Sequence, residues 1–104
     1  MQTFNILCNT NYPAGADNGN PAIHDITRVY VPNLEECVNA CAVWNRQYEM
    51  NTDAGIDTGE RQFCRAATIV KEDANYCYLK NATGVNNTFG NPRVFTTAVL
   101  TNVF

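Results

Sequence analysis

Apolar side chains recur at spacings of three and four between residues 34 and 48, which is the period of an amphipathic helix. The stripe consists of Leu34, Cys37, Val38, Cys41, Trp44 and Tyr48. Asn33 is a suitable N-cap, and Glu36, three residues later, can bond back to the backbone N–H of the cap. The spacing predicts a helix from residue 34 to about residue 48, with its two cysteines facing the core.

Five other short segments alternate apolar and polar residues or are rich in β-branched and aromatic residues, which is typical of strands. They are Thr3–Cys8, Thr27–Val31, Phe63–Val70, Tyr76–Lys80 and Thr96–Leu100. The third segment is expected to present one face made of Cys64, Ala66, Thr68 and Val70. The fourth places Cys77 and Leu79 on one face, and these two segments are predicted to form a hairpin.

The segments between these elements are polar and contain glycine or proline, as loops do. The longest are Asn9–Asn20, Asn51–Glu60 and Asn81–Pro92. One helix among several short strands predicts an α+β fold, with a single helix packed on a small antiparallel sheet. A chain of 104 residues has room for one hydrophobic core, so residues 1–104 are expected to form a single domain.

Composition and charge argue against two classes of partner, nucleic acids and membranes. Charged residues make up 16% of the chain and the net charge is −3, with no Lys/Arg cluster to contact a phosphate backbone. No apolar run approaches the roughly 20 residues that span a bilayer. Nucleic acid and membrane insertion are therefore not expected.

Five cysteines in so short a chain favour an oxidising, secretory environment. Two N-glycosylation sequons, at Asn81 and Asn86, also favour a secretory environment. Residues 1–4 lack a basic region and a long apolar run, so the chain is interpreted as a mature or excised domain rather than one that begins with a signal peptide. The sequence predicts a secreted, extracellular glycoprotein.

Four of the cysteines form a natural set, because two lie on the helix stripe and one lies on each strand of the hairpin. They are Cys37, Cys41, Cys64 and Cys77. Disulfides between helix and sheet would join the two layers, and three pairings of four thiols are possible. A zinc site fits poorly, because structural zinc usually takes cysteine pairs separated by two residues on turns. No metal or cofactor is expected.

The fifth cysteine, Cys8, has no evident partner. Its neighbours Phe4 and Ile6 suggest that it points inward, where a free cysteine behaves as a small hydrophobic residue. An unpaired thiol in a secreted chain can alternatively link two chains. Burial is the favoured prediction for Cys8.

Residues 34–45, which read LEECVNACAVWN, followed by Cys64-Arg65-Ala66 and by residues 77–81, CYLKN, resemble the PAN/Apple domain of secreted fungal proteins. Residues 19–25 and 98–100 are also similar to this family. The resemblance implies a five-stranded antiparallel sheet cradling one helix, and disulfides Cys37–Cys77 and Cys41–Cys64. Many Apple domains also bridge the first strand to a C-terminal cysteine, and this chain has no cysteine after Cys77. The family binds proteins or carbohydrates without catalysis.

A candidate binding surface lies on the outward face of the predicted hairpin. If Cys64 and Cys77 face the helix, the side chains of Arg65, Tyr76, Tyr78 and Lys80 point away from it. Tyrosines flanked by cations can stack on a sugar ring or on a side chain of a partner protein. The alternative is that these rings only cover the sheet through cross-strand packing.

Two other candidate sites are weaker. Cys8, His24 and Asp25 could form a nucleophilic set, but adjacent His and Asp residues rarely orient each other as a catalytic relay requires. The carboxylates of residues 53, 57 and 60 (Asp53, Asp57 and Glu60) could bind calcium, but their spacing is not that of an EF-hand and a solvated turn is favoured. No enzymatic activity is expected.

The sequence therefore predicts an extracellular, non-catalytic binding or adhesion module for protein or carbohydrate. The alternative is a self-associating structural protein that forms a dimer, a fibre or part of a cell-wall matrix. Low charge, the strands near both ends of the chain and the odd cysteine Cys8 are compatible with that alternative.

Overall fold

A computed structural model describes residues 2–55, 63–71 and 75–102. Five antiparallel strands form one sheet in the order β1-β5-β3-β4-β2, and a single helix packs on one of its faces. The elements are β1 (Thr3–Cys8), β2 (Asp25–Tyr30), α1 (Leu34–Asp53), β3 (Ala66–Val70), β4 (Tyr76–Lys80) and β5 (Phe95–Asn102). The predicted α+β fold with one helix on a small antiparallel sheet is confirmed.

Helix α1 begins where the sequence indicates and ends later. The Oδ1 atom of Asn33 accepts the backbone N–H of Glu36 at 3.0 Å, which confirms the N-cap. The predictions of an end near residue 48 and of a loop from residue 51 were wrong, because residues 46–50 are mostly strong helix formers. The helix ends just before Gly55, whose φ of 76° is left-handed, a conformation common at helix C-termini.

The hydrophobic core lies between α1 and the central strands. Its fully buried members are Cys37, Cys41, Cys64, Ala67, Ile69, Cys77 and Leu79. Disulfides join Cys37 to Cys77 and Cys41 to Cys64, each with a Cα–Cα distance of 5.5 Å. The pairing implied by the family resemblance is confirmed, and the four cysteines are not a zinc site.

The predicted grouping of Cys64 on one face with Ala66, Thr68 and Val70 was wrong, because Cys64 faces the helix and the other three do not. Ala67 and Ile69 pack against the helix, whereas the Thr68 hydroxyl lies on the other face and hydrogen-bonds to the Thr97 hydroxyl at 2.7 Å. The cause is an irregularity before β3. The Arg65 N–H donates to the Lys80 carbonyl at 2.8 Å while Ala66 is the register partner of the same Lys80. Two residues opposite one reverse the alternation after Cys64.

The predicted burial of Cys8 was also wrong, since its thiol is free and exposed. Helix α1 contacts β3 and β4, whereas β1 is an edge strand. Phe4, at the start of β1, still packs against the core cluster. Further along the strand Ile6 is 45% exposed, so the helix layer leaves this part of the edge uncovered.

The face of the sheet opposite α1 is covered by two loops, residues 9–24 and 81–94. The Thr97 hydroxyl on β5 donates to the Thr10 carbonyl at 2.7 Å. The buried amide of Asn20 donates to the carbonyls of Pro13 and Val85, both at 2.9 Å, and accepts the Val85 N–H at 2.6 Å. Gly84 allows this close approach, because a Cβ there would lie 2.2 Å from the Asn20 Oδ1 atom. The two loops therefore form one hydrogen-bonded layer.

Candidate functional site

Three tyrosines form a continuous row at the β2–β4 edge of the loop-covered face. Tyr30 and Tyr76 are register partners with ring centroids 4.3 Å apart, and the Tyr76 and Tyr78 centroids are 6.1 Å apart. Cys77 and Leu79 point to the helix, so the alternating tyrosines of β4 point away from it. We call Tyr30, Tyr76 and Tyr78 the tyrosine ridge.

Arg28 lies along the ridge and contacts two of its tyrosines, Tyr76 and Tyr78. It is the register partner of Tyr78, and its guanidinium carbon lies 4.5 Å from the centroid of the Tyr76 ring. A hydrogen bond to Tyr78 raises the pKa of Arg28 above its usual value. The hydroxyls of Tyr30 and Tyr76 hydrogen-bond to each other, which raises the pKa of Tyr30. The ridge therefore combines three aromatic rings with one guanidinium cation.

The ridge leads into a pocket of about 390 Å³ between the sheet and the two loops. Its lining comprises three aromatic rings, two asparagine amides, a lysine and a carboxylate, with smaller apolar groups. The residues are Asn11, Pro13, Ala14, Asn18, Asp25, Val70, Tyr78, Lys80, Phe89 and Phe95. Apolar walls with a few converging polar groups are the usual composition of a small-ligand site. Tyr78 belongs both to the ridge and to the pocket.

Lys80 is the most buried charged group of the pocket, with 3% of its surface exposed. Its ammonium lies 2.5 Å from the Asp25 carboxylate, which is 37% exposed, and 5.5 Å from the centroid of Tyr78. An ammonium has three N–H donors, and Asp25 uses one of them. The pair therefore offers a strong donor and a strong acceptor side by side without net charge.

Phe89 supplies an exposed aromatic wall. Its side chain is 60% exposed although it lines the pocket, and its backbone has a φ of 53°. A bulky residue in the left-handed region is uncommon and costs about 1–2 kcal/mol. The Phe89 N–H donates to the Asn87 side chain at 2.9 Å, which helps to hold this conformation. The loop thus keeps a large apolar ring in solvent beside the pocket.

Of the four residues proposed from the sequence, the structure brings three together. Tyr76, Tyr78 and Lys80 share one face of β4. Arg65 does not join them, because its guanidinium lies 5.5 Å from the centroid of Phe63, whose ring packs edge-on against Tyr48 of the helix. Its place beside the tyrosines is taken by another arginine.

That arginine, Arg28, and the exposed Tyr30 were missed by sequence reasoning. Both alternate with Val29 in β2, so the period of two placed them on one face of a strand. What the sequence did not supply was the pairing of β2 with β4, which brings Arg28 opposite Tyr78. The sequence therefore indicated that Arg28 and Tyr30 share a face, but it did not indicate which strand lies beside them.

The alternative sites are not assembled in the described part of the chain. Cys8 lies at the end of edge strand β1, whereas His24 precedes β2 at the opposite edge, with three strands between them. Asp57 and Glu60, and the side chain of Asp53, lie outside the described residues. Among the residues that the structure describes, no group of three or more His, Cys, Asp or Glu side chains is placed to hold a metal ion.

The two sequon asparagines differ in how their amides are used. Asn81 accepts the His24 N–H at 2.6 Å and donates to the Ala22 carbonyl at 3.2 Å. Asn86 accepts the Asn11 N–H at 2.9 Å. Within the described residues, the amide nitrogen of Asn86 has no hydrogen-bond partner.

In comparisons with known proteins, no protein-family model, curated protein or solved structure matches the chain. In residues 2–55, 63–71 and 75–102, no helix is both long and apolar enough to cross a membrane.

Proposed function

We propose that the chain is a secreted, non-catalytic recognition module of the PAN/Apple kind, which binds its ligand at the tyrosine ridge and the adjoining pocket. The observation that carries the proposal is the continuity of the two features, since Tyr78 belongs to both. Exposed aromatic rings beside a concave, partly polar site are typical of binding surfaces. Adhesion to an extracellular glycan or glycoprotein is the role that follows.

Carbohydrate is the ligand class that the pocket chemistry favours over a charged partner. The Lys80–Asp25 pair is neutral as a whole, so a ligand carboxylate would face Asp25 and a ligand cation would face Lys80. A hydroxyl both donates and accepts, and can satisfy both members of the pair. The apolar face of a sugar ring can stack on Tyr78 or Phe89. A protein ligand would instead use the exposed ridge around Tyr30.

Replacing Tyr78 is the direct test of this function. We expect Tyr78→Ala to weaken binding about tenfold or more, because it removes a stacking surface worth about 1.5 kcal/mol. The measurement is a screen of the disulfide-intact chain on immobilised extracellular glycans, followed by calorimetric titration of the strongest binder.

Arg65→Ala is the matched control, since Arg65 lies on the same β3–β4 region but outside the ridge. Circular dichroism of both variants checks that the fold is retained. Equal binding by folded Tyr78→Ala and by the unchanged chain would remove the ridge and pocket as the ligand site. Equal loss in both variants would also contradict it.

A secreted chain of this sequence is further expected to carry N-glycan at Asn86 in preference to Asn81. Asn86 is exposed and its amide nitrogen is uncommitted within the described residues, whereas a glycan on Asn81 would crowd its bond to the Ala22 carbonyl. Glycopeptide mass spectrometry of protein secreted from a eukaryotic host measures the occupancy of each site. Higher occupancy at Asn81 than at Asn86 would contradict this prediction.

A further inference from the structure

The two edges of the sheet are protected to different degrees. Edge strand β2 carries Asp25 and Arg28, and its register shifts between Asp25 and Thr27. Edge strand β1 spans Thr3–Cys8 and contains no charged residue and no proline. Proteins normally protect exposed edges with charges, proline or irregular register, because an open edge can pair with another strand. The β2 edge follows that rule, whereas β1 has only a register shift at its start, between Thr3 and Phe4, and is regular and uncharged from Phe4 to Cys8.

The backbone groups that β1 leaves open follow from the register of the sheet. The Leu100 N–H donates to the Arg65 carbonyl, so Leu100 directs its backbone groups toward β3. Because backbone direction alternates along a strand, Val99 and Thr97 of β5 face β1, where they pair with Asn5 and Leu7. The N–H and C=O groups of Phe4, Ile6 and Cys8 therefore point away from the sheet.

A hydroxyl group closes the C-terminal end of this edge but not its middle. The Thr10 hydroxyl donates to the Cys8 carbonyl at 3.0 Å. This bond does not involve Phe4 or Ile6. The middle of β1 thus presents an uncharged segment with alternating donors and acceptors, and with the Ile6 side chain 45% exposed.

We infer that β1 is an interaction surface for a second copy of this chain, which pairs with it antiparallel about a two-fold axis at Ile6. In this register Ile6 lies opposite Ile6 of the second copy, and Phe4 lies opposite Cys8 of the second copy. All three residues have outward backbone groups, so the two Ile6 residues exchange hydrogen bonds and the Phe4 carbonyl of each copy accepts the Cys8 N–H of the other. The two five-stranded sheets join into one of ten strands, and the exposed isoleucines cover each other.

Cys8 does not link the chains covalently in this arrangement. The two Cys8 residues lie four positions apart along the paired strands, which is about 13 Å, whereas disulfides need Cα atoms within about 7 Å. The inference therefore differs from association through an odd thiol. It also goes beyond the proposed ligand function, because β1 is at the opposite edge of the sheet from the tyrosine ridge.

Sedimentation velocity of the whole, disulfide-intact chain tests the pairing. Small interfaces are weak, so the series runs from about 10 µM to about 1 mM. We expect a monomer–dimer equilibrium that Ile6→Lys shifts at least tenfold toward monomer, because two ammonium groups would face each other across the axis. Val43→Lys is the matched control, since Val43 is a similarly exposed apolar residue, on helix α1, and its variant should dimerise normally.

Two further measurements separate this dimer from its alternatives. The Cys8→Ser variant should dimerise as the unchanged chain does, and hydrogen exchange at the Ile6 amide should slow as concentration rises. A dimer abolished by Cys8→Ser, or a chain that stays monomeric at every concentration, would overturn the inference. Exchange at Ile6 that is independent of concentration in a dimeric sample would place the interface elsewhere and also overturn it.

Discussion

Removing either disulfide is expected to destabilise the domain strongly. Cys37 and Cys77 are 40 residues apart, and Cys41 and Cys64 are 23 apart. In the chain-entropy description, the bridges restrict the unfolded chain and add about 4 and about 3.5 kcal/mol, respectively, to the free energy of unfolding. A domain of this size has a total of about 5–15 kcal/mol. The variants Cys37→Ala/Cys77→Ala and Cys41→Ala/Cys64→Ala should each lose a large fraction of it.

Denaturant unfolding followed by circular dichroism measures these losses, and the variant with the longer loop should lose slightly more. Cys8→Ser is the control, because the exposed Cys8 thiol is in no disulfide, and its midpoint should not change. If a paired variant unfolded at the same denaturant concentration as the unchanged chain, the helix and sheet would be held together by packing alone.

Asn45→Ala is expected to be the most damaging single substitution outside the cysteines. Asn45 is fully buried on α1, accepts the Cys64 N–H at 2.5 Å and donates to the Cys64 carbonyl at 2.7 Å. Cys64 precedes β3, so the Asn45 amide satisfies the backbone N–H and C=O groups of Cys64 in place of a neighbouring strand. Alanine would leave both backbone groups buried without partners, which costs about 2–5 kcal/mol.

Thermal unfolding of Asn45→Ala should show a midpoint lower on the order of 10 °C. Asn39→Ala provides the control on the same helix, because the Asn39 side chain is exposed and alanine is the better helix former. We expect the midpoint of the control to stay the same or rise slightly. Equal midpoints for the two variants would show that the bonds to Cys64 contribute nothing measurable.

The elements that depend on local pattern were predictable from the sequence. The Asn33 cap and the spacing of Cys37 and Cys41 specify a helix and the face it buries, and alternation marks the strands. The disulfide pairing needed the family resemblance, because four thiols on one helix and one hairpin allow three pairings. Helix length was underestimated because no residue before Gly55 stops it.

The remaining errors concern features that depend on pairing between distant segments. The irregularity at Arg65 is visible only when Lys80 is known to lie opposite it. This irregularity places Cys64 on the opposite face of the sheet from Thr68. The burial of Cys8 was predicted from the residue pattern of its own strand. Burial depends instead on whether α1 reaches that edge of the sheet. The pocket walls come from loops that have no periodicity, and their shape depends on hydrogen bonds that Asn11 and Asn20 make between the loops.

Two asparagines separate the molecule into a constant frame and a variable wall. The frame is joined covalently between α1 and the sheet. The wall consists of the two loops, which are held together by the amides of Asn20 and Asn11. Chains that keep these two amides can exchange residues such as Phe89 without disturbing the core. The preference of the proposed ligand site can therefore change through a few loop positions.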